Sequence, residues 1–154
     1  MQWNNIRSLR LSILMVRLLS VLIPVLMCCV PVMVHWYDLE GGSRVGLVEG
    51  SVYWPLCICL YLSAICGEVC LLRLGQLLQN IRGERVFIRE NCAHLRIISW
   101  CCLLAAVPFG AFGFWRFLSF LVALAALFFG IVLRVVKNVF EAAVNLQEEN
   151  DYTI

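Results

Sequence analysis

Charged side chains are scarce in this sequence. Only 14% of the 154 residues are Asp, Glu, Lys or Arg, whereas 62% are hydrophobic and the mean hydropathy is +0.89. A soluble domain of this length could not bury so much apolar surface, so the composition excludes an ordinary soluble domain and predicts a lipid bilayer as the chain's solvent. The net charge of +2 says little by itself, because the 12 basic and 10 acidic residues occupy different parts of the chain.

The sequence also lacks the common patterns of a metal, redox or catalytic site. Its nine cysteines form no Cys-x-x-Cys pair, and Cys92-x-His94 offers two ligands where a structural zinc site needs four. Cysteine is readily buried as a small apolar residue, so we interpret the cysteines as packing residues and His94 as a solvated loop residue. No phosphate-binding loop and no nucleophile–base pair is evident. We therefore predict no metal, no cofactor and no enzymatic activity.

Long apolar runs are what the sequence has instead. A helix needs roughly 17–25 such residues to cross a hydrocarbon core of about 30 Å. The run from Ile97 to Leu133 would reach about 55 Å as one helix, so it must fold back, and the glycines and aromatics of Pro108–Phe117 suit that bend. We predict an all-α integral membrane bundle, a single domain over residues 1–154, with four transmembrane helices at about 11–34, 52–74, 97–113 and 117–136.

The segments between and after the spans are an outer loop at 35–51, a cytoplasmic loop at 75–96, and a helix extension with an acidic tail at 137–154. Apolar residues recur at helical spacing after the second span as far as Gly83, which we predict to end that helix. A signal peptide is the alternative for the first span. Its apolar part is long for a signal core and no clean small-x-small cleavage site follows, so we interpret it as a retained helix.

The basic residues indicate how the chain faces the membrane. One side of the spans carries nine of the twelve: Arg7, Arg10, Arg73, Arg82, Arg85, Arg89, Arg96, Arg134 and Lys137. Only Arg44 and Arg116 fall on the other side, and Arg17 lies within a span. The positive-inside rule places the basic side in the cytoplasm, and acidic residues contribute little to that rule. We therefore predict a multi-pass protein of the cell membrane with both termini in the cytoplasm.

Two charged residues, Arg17 and Glu68, lie well inside the predicted spans rather than at their ends. Charges at such positions are costly unless they are paired or hydrated. Arg17 and Glu68 both lie at a depth of about 9 Å from the cytoplasmic ends of their spans, so antiparallel neighbours could pair them. Three interpretations stay open: a structural Arg17–Glu68 bridge, snorkelling toward the cytoplasm, and a proton or cation site of a transporter.

The cytoplasmic loop is basic and the end of the chain is acidic. In the predicted topology both face the same water layer, where ion pairs are weak and depend on salt. A loop–tail contact would then be switchable, as a docking site for a partner requires; the alternative is that the acidic residues only solvate a helix end. The candidate partner-binding residues are Arg82, Arg85, Phe87, Arg89, Glu90, Asn91, Arg96, Glu148, Glu149, Asn150, Asp151 and Tyr152.

Two segments carry a family resemblance: RGERVFIRENCAHLRIISW at 82–100 and the ending LQEENDYTI at 146–154. Together with the four spans, they resemble the bacterial YoaS-like membrane proteins, a family defined by a domain of unknown function (2975). Family members usually have Ser or Thr directly after the loop phenylalanine, as an N-cap for the third helix, whereas Phe87 is followed here by Ile88. The resemblance implies no established activity. Such members are commonly encoded beside small helix-turn-helix regulators, which implies a regulatory pair.

These observations lead to two functional hypotheses. The first is a regulatory partner that holds a small cytoplasmic DNA-binding protein at the membrane without binding nucleic acid itself. The second is a small transporter or ion-coupled protein that uses Glu68. The four-helix multidrug exporters, which this chain resembles in size, carry their essential glutamate in helix one, where this chain has Arg17. A homo-oligomer is compatible with either hypothesis.

Overall fold

The computed structural model describes residues 2–39, 47–48 and 50–151, and within these ranges it describes side chains from residue 8 to residue 150. The described chain contains helices and turns but no strand. The predicted all-α class is confirmed. The helices are α1 (Gln2–Leu39), α2 (Tyr53–Arg82), α3 (Arg89–Phe112) and α4 (Leu118–Asp151).

Each of the four helices is long and apolar enough to cross a membrane, which makes the chain a multi-pass membrane protein. With 38 and 34 residues, α1 and α4 would reach about 57 and 51 Å, far more than a hydrocarbon core of about 30 Å. Both helices therefore extend past the membrane. Prolines lie inside α1 and α3 without ending them, as neighbouring helices permit in a membrane bundle.

The helices pack in chain order. Among the described residues, close backbone approaches join α1 with α2, α2 with α3 and α3 with α4, and none join α1 with α4. Neighbouring helices run antiparallel. From Ser20 to Met27 along α1, the hydrogen-bonded partners on α2 run backward from Glu68 to Tyr61. Asn80 near the end of α2 bonds Asn91 at the start of α3. The contact between α3 and α4 is the most extensive, so the predicted hairpin of the third and fourth helices is present.

Buried side chains are few, and two compact apolar clusters lie at the end of the molecule opposite the α2–α3 connection. There Val30 and Val34 of α1 pack against Cys57 of α2, while Cys59 packs against Phe112 of α3. The outward faces of the helices present large apolar side chains that the protein itself leaves exposed. Because lipid tails are as apolar as these side chains, such exposure is the normal state of a membrane helix.

The helix ends agree with the sequence in one place and differ in another. As predicted, α2 ends before Gly83, whose N–H donates to the carbonyl groups of Gln79 and Asn80 at 3.1 Å. The bend expected within Pro108–Phe117 occupies only 113–117, because α3 continues as a regular helix to Phe112. Within the predicted outer loop at 35–51, residues 40–46 and 49 lie outside the described residues.

Candidate functional site

The candidate site lies where α2 ends, α3 begins and α4 runs on toward the C-terminus. We call it the charged end and define it by residues 82–96 and 134–150. It collects basic side chains from the α2–α3 connection and from α4, and acidic side chains from the last turns of α4. Its basic residues are Arg82, Arg85, Arg89, Arg96, Arg134 and Lys137.

Asn91 holds the α2–α3 connection in place. Its Nδ2 donates to the carbonyl oxygens of Arg85 and Val86, both at 2.8 Å, and its Oδ1 accepts from Nδ2 of Asn80 at 2.9 Å. The residue is fully buried, and these bonds satisfy its amide as a buried polar group requires. Asn91 was predicted to bind a partner, but it is not accessible to one: it is a structural link between α2 and α3.

Arg89 and Glu148 form a bidentate ion pair that joins the loop to the tail. Arg89 Nε donates to Oε1 of Glu148 at 2.8 Å, and Nη2 donates to Oε2 at 2.5 Å. The hydrogen bonds from Arg89 hold the pKa of Glu148 below its ordinary value of 4.5. The side chains are 74% and 41% exposed, so the pair is reached by water from both sides.

An apolar contact lies beside this ion pair. The rings of Phe87 and Phe140 meet with their centroids 5.7 Å apart, and Val144, one turn further along α4, is buried. Aromatic and aliphatic packing of this kind gains free energy from apolar burial. The contact therefore fixes α4 against the start of α3 without the help of the exposed ion pair.

Glu141 is the centre of a second group of charges on α4. Lys137 donates to its Oε2, and Nη2 of Arg96 lies 3.6 Å from its Oε1. The hydrogen bond from Lys137 holds the pKa of Glu141 below its ordinary value of 4.5. This carboxylate thus connects a basic residue of α3 with a basic residue of α4.

The other predicted partner-binding residues divide by exposure. Phe87 is half exposed in spite of its contact with Phe140. Tyr152 and the side chain of Asp151 lie outside the described residues. The remaining six residues are all exposed: Arg82, Arg85, Glu90, Arg96, Glu149 and Asn150.

His94 differs from its prediction as a solvated loop residue. It belongs to α3 and is only 6% exposed. Its two ring nitrogens have no hydrogen-bond partner within the described part of the chain, although Nε2 lies 3.6 Å from Oε1 of Glu90. The sequence carried a signal for its burial, because His94, Leu95 and Ile98 share one helical face.

The structure gives Glu68 a partner other than the predicted Arg17. Ser20 Oγ donates to Glu68 Oε1 at 2.5 Å, while Oε2 is buried without a partner among the described residues. Arg17 lies one turn before Ser20 and is exposed, and no ion pair links it to Glu68 in the described chain. Serine, not arginine, therefore occupies the position of α1 that faces this carboxylate.

A cavity of about 640 Å³ opens between α1 and α2 next to this pair. Its walls include Arg17 and Ser20 from α1 and, from α2, Arg73 and Gln76. Polar side chains at this depth of a membrane helix usually face a cavity or another polar group. Ser20 belongs both to the wall of this cavity and to the hydrogen bond with Glu68.

The cysteines, together with the acidic residues of the described chain, are of the types that bind metals. All nine cysteines belong to the described chain and all are free thiols. Within that part of the chain, no three side chains of His, Cys, Asp or Glu come together as metal ligands would.

Comparison with known protein families returns a match. A family model described as "Protein of unknown function (DUF2975)" matches residues 48–154. The match contains α2, α3 and α4 and therefore the whole charged end, while α1 with Ser20 lies outside it. No curated protein and no solved structure matches the chain.

Proposed function

The chain belongs to the DUF2975 family of proteins of unknown function, and from this premise we propose that it is a membrane-anchored docking protein for a small soluble protein. The four helices hold the chain in the membrane, and the charged end receives the partner. The proposal assigns no catalytic step to the chain.

The observation that carries this proposal is the exposed ion pair between Arg89 and Glu148. The pair joins the first residue of α3 to the last turns of α4, so loop and tail form one surface. An exposed pair adds little stability and weakens with salt. A charged partner can therefore compete for either member, while the Phe87–Phe140 contact keeps the two helices together.

We propose that the charged end faces the cytoplasm and that both termini lie on that side of the cell membrane. Because the helices alternate in direction, the start of α1 and the end of α4 lie at the same end as the α2–α3 connection. That end carries most of the basic residues of the chain. The positive-inside rule supports a cytoplasmic location for it.

The partner that we propose is a small DNA-binding regulator of the helix-turn-helix type. The support for this choice is the resemblance of the loop and tail to the YoaS-like proteins, whose genes commonly lie beside such regulators. The charged end offers the exposed basic residues Arg82 and Arg85 as well as the acidic residues Glu148 and Glu149. A complementary partner must therefore present both acidic and basic side chains.

The proposal is tested by affinity capture from native membranes. The full chain is compared with a chain that ends at Gln147, and the captured proteins are identified and assayed for DNA binding. We expect the full chain to retain a small DNA-binding protein and the shortened chain to lose it at equal abundance in the membrane. As a matched control, Gln147→Ala changes an exposed residue of the same helix and should retain the partner. Capture at full strength by the shortened chain would contradict a docking role for the tail.

A second candidate function is ion-coupled transport through Glu68. The observation that favours it is the buried Oε2 of Glu68, which lacks a partner in the described chain. Ser20, which bonds the other carboxylate oxygen, also lines the cavity between α1 and α2. A carboxylate in this setting can take up and release a proton or a cation.

The test of this function uses the purified chain in vesicles that carry a pH gradient. The wild type and the control variant Glu84→Gln should dissipate the gradient, and Glu68→Gln should not. If the wild type leaves the gradient intact, proton-coupled transport is refuted.

A further inference from the structure

A crevice of about 330 Å³ lies between α3 and α4 at the charged end. It is separate from the Arg89–Glu148 pair and was not predicted from the sequence. Two of its residues, Ser99 and Lys137, are mostly buried: Ser99 is 3% exposed and the Lys137 side chain 13%. The lining residues are Arg96, Ser99, Trp100, Arg134 and Lys137.

The crevice carries an excess of positive charge. Lys137 bonds Asn138 and Glu141, and Arg96 lies 3.6 Å from the same Glu141. The guanidinium of Arg134 lies over the ring of Trp100, with Cζ 5.1 Å from its centroid. The described chain therefore places three basic side chains at the crevice and only one carboxylate against them, which leaves about two positive charges for a bound anion to neutralise.

The crevice lies at the level of a membrane surface. At 1.5 Å per residue, Arg96 lies about 24 Å along α3 from Phe112, and Lys137 about 28 Å along α4 from Leu118. These distances match a hydrocarbon core of about 30 Å that begins near the α3–α4 turn. Trp100 is half exposed at the same level, as is common for tryptophan at a membrane–water interface. An anion bound here would therefore lie in the headgroup layer.

From this charge, shape and depth we propose that the crevice binds the phosphate of an anionic phospholipid. Arg96 and Arg134 hold the phosphate from α3 and α4, and Lys137 adds its charge from the floor of the crevice. Trp100 packs against the glycerol and the upper acyl chain. Ser99 has a different role, because its hydroxyl already donates to the Gly130 carbonyl at 2.8 Å. Basic pockets between membrane helices bind anionic headgroups by this chemistry.

The shared chemistry is a phosphate group, which a soluble anion also carries. Two features favour the lipid as its source. The crevice lies at the depth where lipid headgroups are concentrated, and its one aromatic wall is exposed on the outside of the helix pair, where acyl chains pass. A free phosphate would use the basic side chains but would gain nothing from Trp100.

The test uses the full chain in phosphatidylcholine vesicles that contain a small fraction of lipid brominated on its acyl chains. Bromine quenches tryptophan only at short range, and the contribution of Trp100 is the part of the signal that Trp100→Phe removes. We expect brominated phosphatidylglycerol to quench Trp100 more strongly than brominated phosphatidylcholine does. Arg96→Gln and Arg134→Gln should each lower this preference about fivefold.

Two control variants separate the crevice from general charge. Arg134→Lys keeps the positive charge and should keep the preference. Arg10→Gln removes an exposed charge from α1, outside the crevice, and should also keep the preference. Circular dichroism checks that all variants retain their helices. Equal quenching by the two lipids, or a preference that survives both glutamine variants, would overturn the proposal. Millimolar inorganic phosphate should leave the preference unchanged; if it abolishes the preference, the crevice binds a free anion and the lipid assignment is wrong.

Discussion

Asn91 is the residue on which the shape of the α2–α3 connection depends most. Its replacement by alanine would leave Nδ2 of Asn80 and the carbonyl groups of Arg85 and Val86 without their partners. Since buried polar groups without partners cost about 1–3 kcal/mol each and water can reach some of them after the change, we expect Asn91→Ala to lower the free energy of unfolding by about 3 kcal/mol. Unfolding in mixed micelles, followed by circular dichroism, measures this change.

Asn145→Ala is the matched control for this prediction. Asn145 is an asparagine of α4 at the same end of the molecule, but it is exposed, so its replacement should change the free energy of unfolding by less than about 0.5 kcal/mol. Equal effects of the two substitutions would contradict the structural role of Asn91.

The ion pair of Glu148 predicts a dependence on pH. Its pKa is held below 4.5 in the folded protein by Arg89, so the unfolded chain binds more protons than the folded chain near that pH. The pair therefore contributes stability above pH 4.5 and loses it as the pH falls through the folded pKa. The difference in unfolding midpoint between the wild type and Glu148→Gln should be largest at neutral pH and vanish on acidification below 4.5. If this difference in unfolding midpoint grows on acidification instead, the Arg89–Glu148 pair does not stabilise the folded protein in the way described.

At the residue scale, the sequence predicted the level at which Glu68 meets α1 better than it predicted which side chain of α1 faces Glu68. It predicted to within one turn the level of α1 that Glu68 meets, because helical rise converts residue number into distance. It could not decide between Arg17 and Ser20, since these lie one turn apart on almost the same face of α1. The burial of Asn91 and His94 was also missed, because it depends on how neighbouring helices cover the start of α3.

At the element scale, α3 and α4 approach each other closely at Gly130. A Cβ atom at this position would lie 2.8 Å from Cδ2 and 3.4 Å from the backbone nitrogen of Leu103. We expect Gly130→Ala to destabilise the hairpin by about 1–3 kcal/mol through overpacking. The matched control is Gly110→Ala, whose Cβ would make only an ordinary contact at 3.9 Å with Ala123 and should be neutral or slightly stabilising. If Gly130→Ala and Gly110→Ala have the same effect on the free energy of unfolding, Gly130 does not pack closely against Leu103.

Helix starts and stops were predictable where a single residue decides them. Gly83 ends α2 as expected, although the left-handed backbone is found at Glu84, with φ of 60°. The absence of Ser or Thr after Phe87 was also informative, because Ile88 is the N-cap of α3 and provides no side-chain bond to it. The α3–α4 turn was placed less closely, since glycine and proline permit a bend but do not require one within a membrane helix.

At the scale of the whole molecule, composition and charge distribution sufficed for the fold class but not for the packing order. Apolar length predicts four membrane helices, yet it carries no information on which of them touch. The structure joins only consecutive helices among the described residues, so the faces of α1 and α4 that meet no neighbour within the chain are left to lipid. This arrangement depends on side-chain fit, which hydropathy does not encode.

The proposed topology is tested by reporters inserted into the full chain. A reporter at Gly83 or after Ile154 should behave as cytoplasmic, and one at Gly42 as external, because the charged end carries most of the basic residues. A cytoplasmic signal from Gly42, or an external signal from either of the other two sites, would contradict the orientation.

The central claim is that a partner docks on the charges of the charged end, and reversal of one ion pair tests it most directly. The double variant Arg89→Glu, Glu148→Arg restores the pair with its direction exchanged, so it should match the wild type in unfolding midpoint. The measurement is the amount of partner captured by this variant relative to the wild type. We predict that capture is lost while stability is retained, because a partner that recognises these charges then meets the wrong sign at each position. Capture at the wild-type level by the reversed variant would show that the pair serves the fold alone and would contradict the claim.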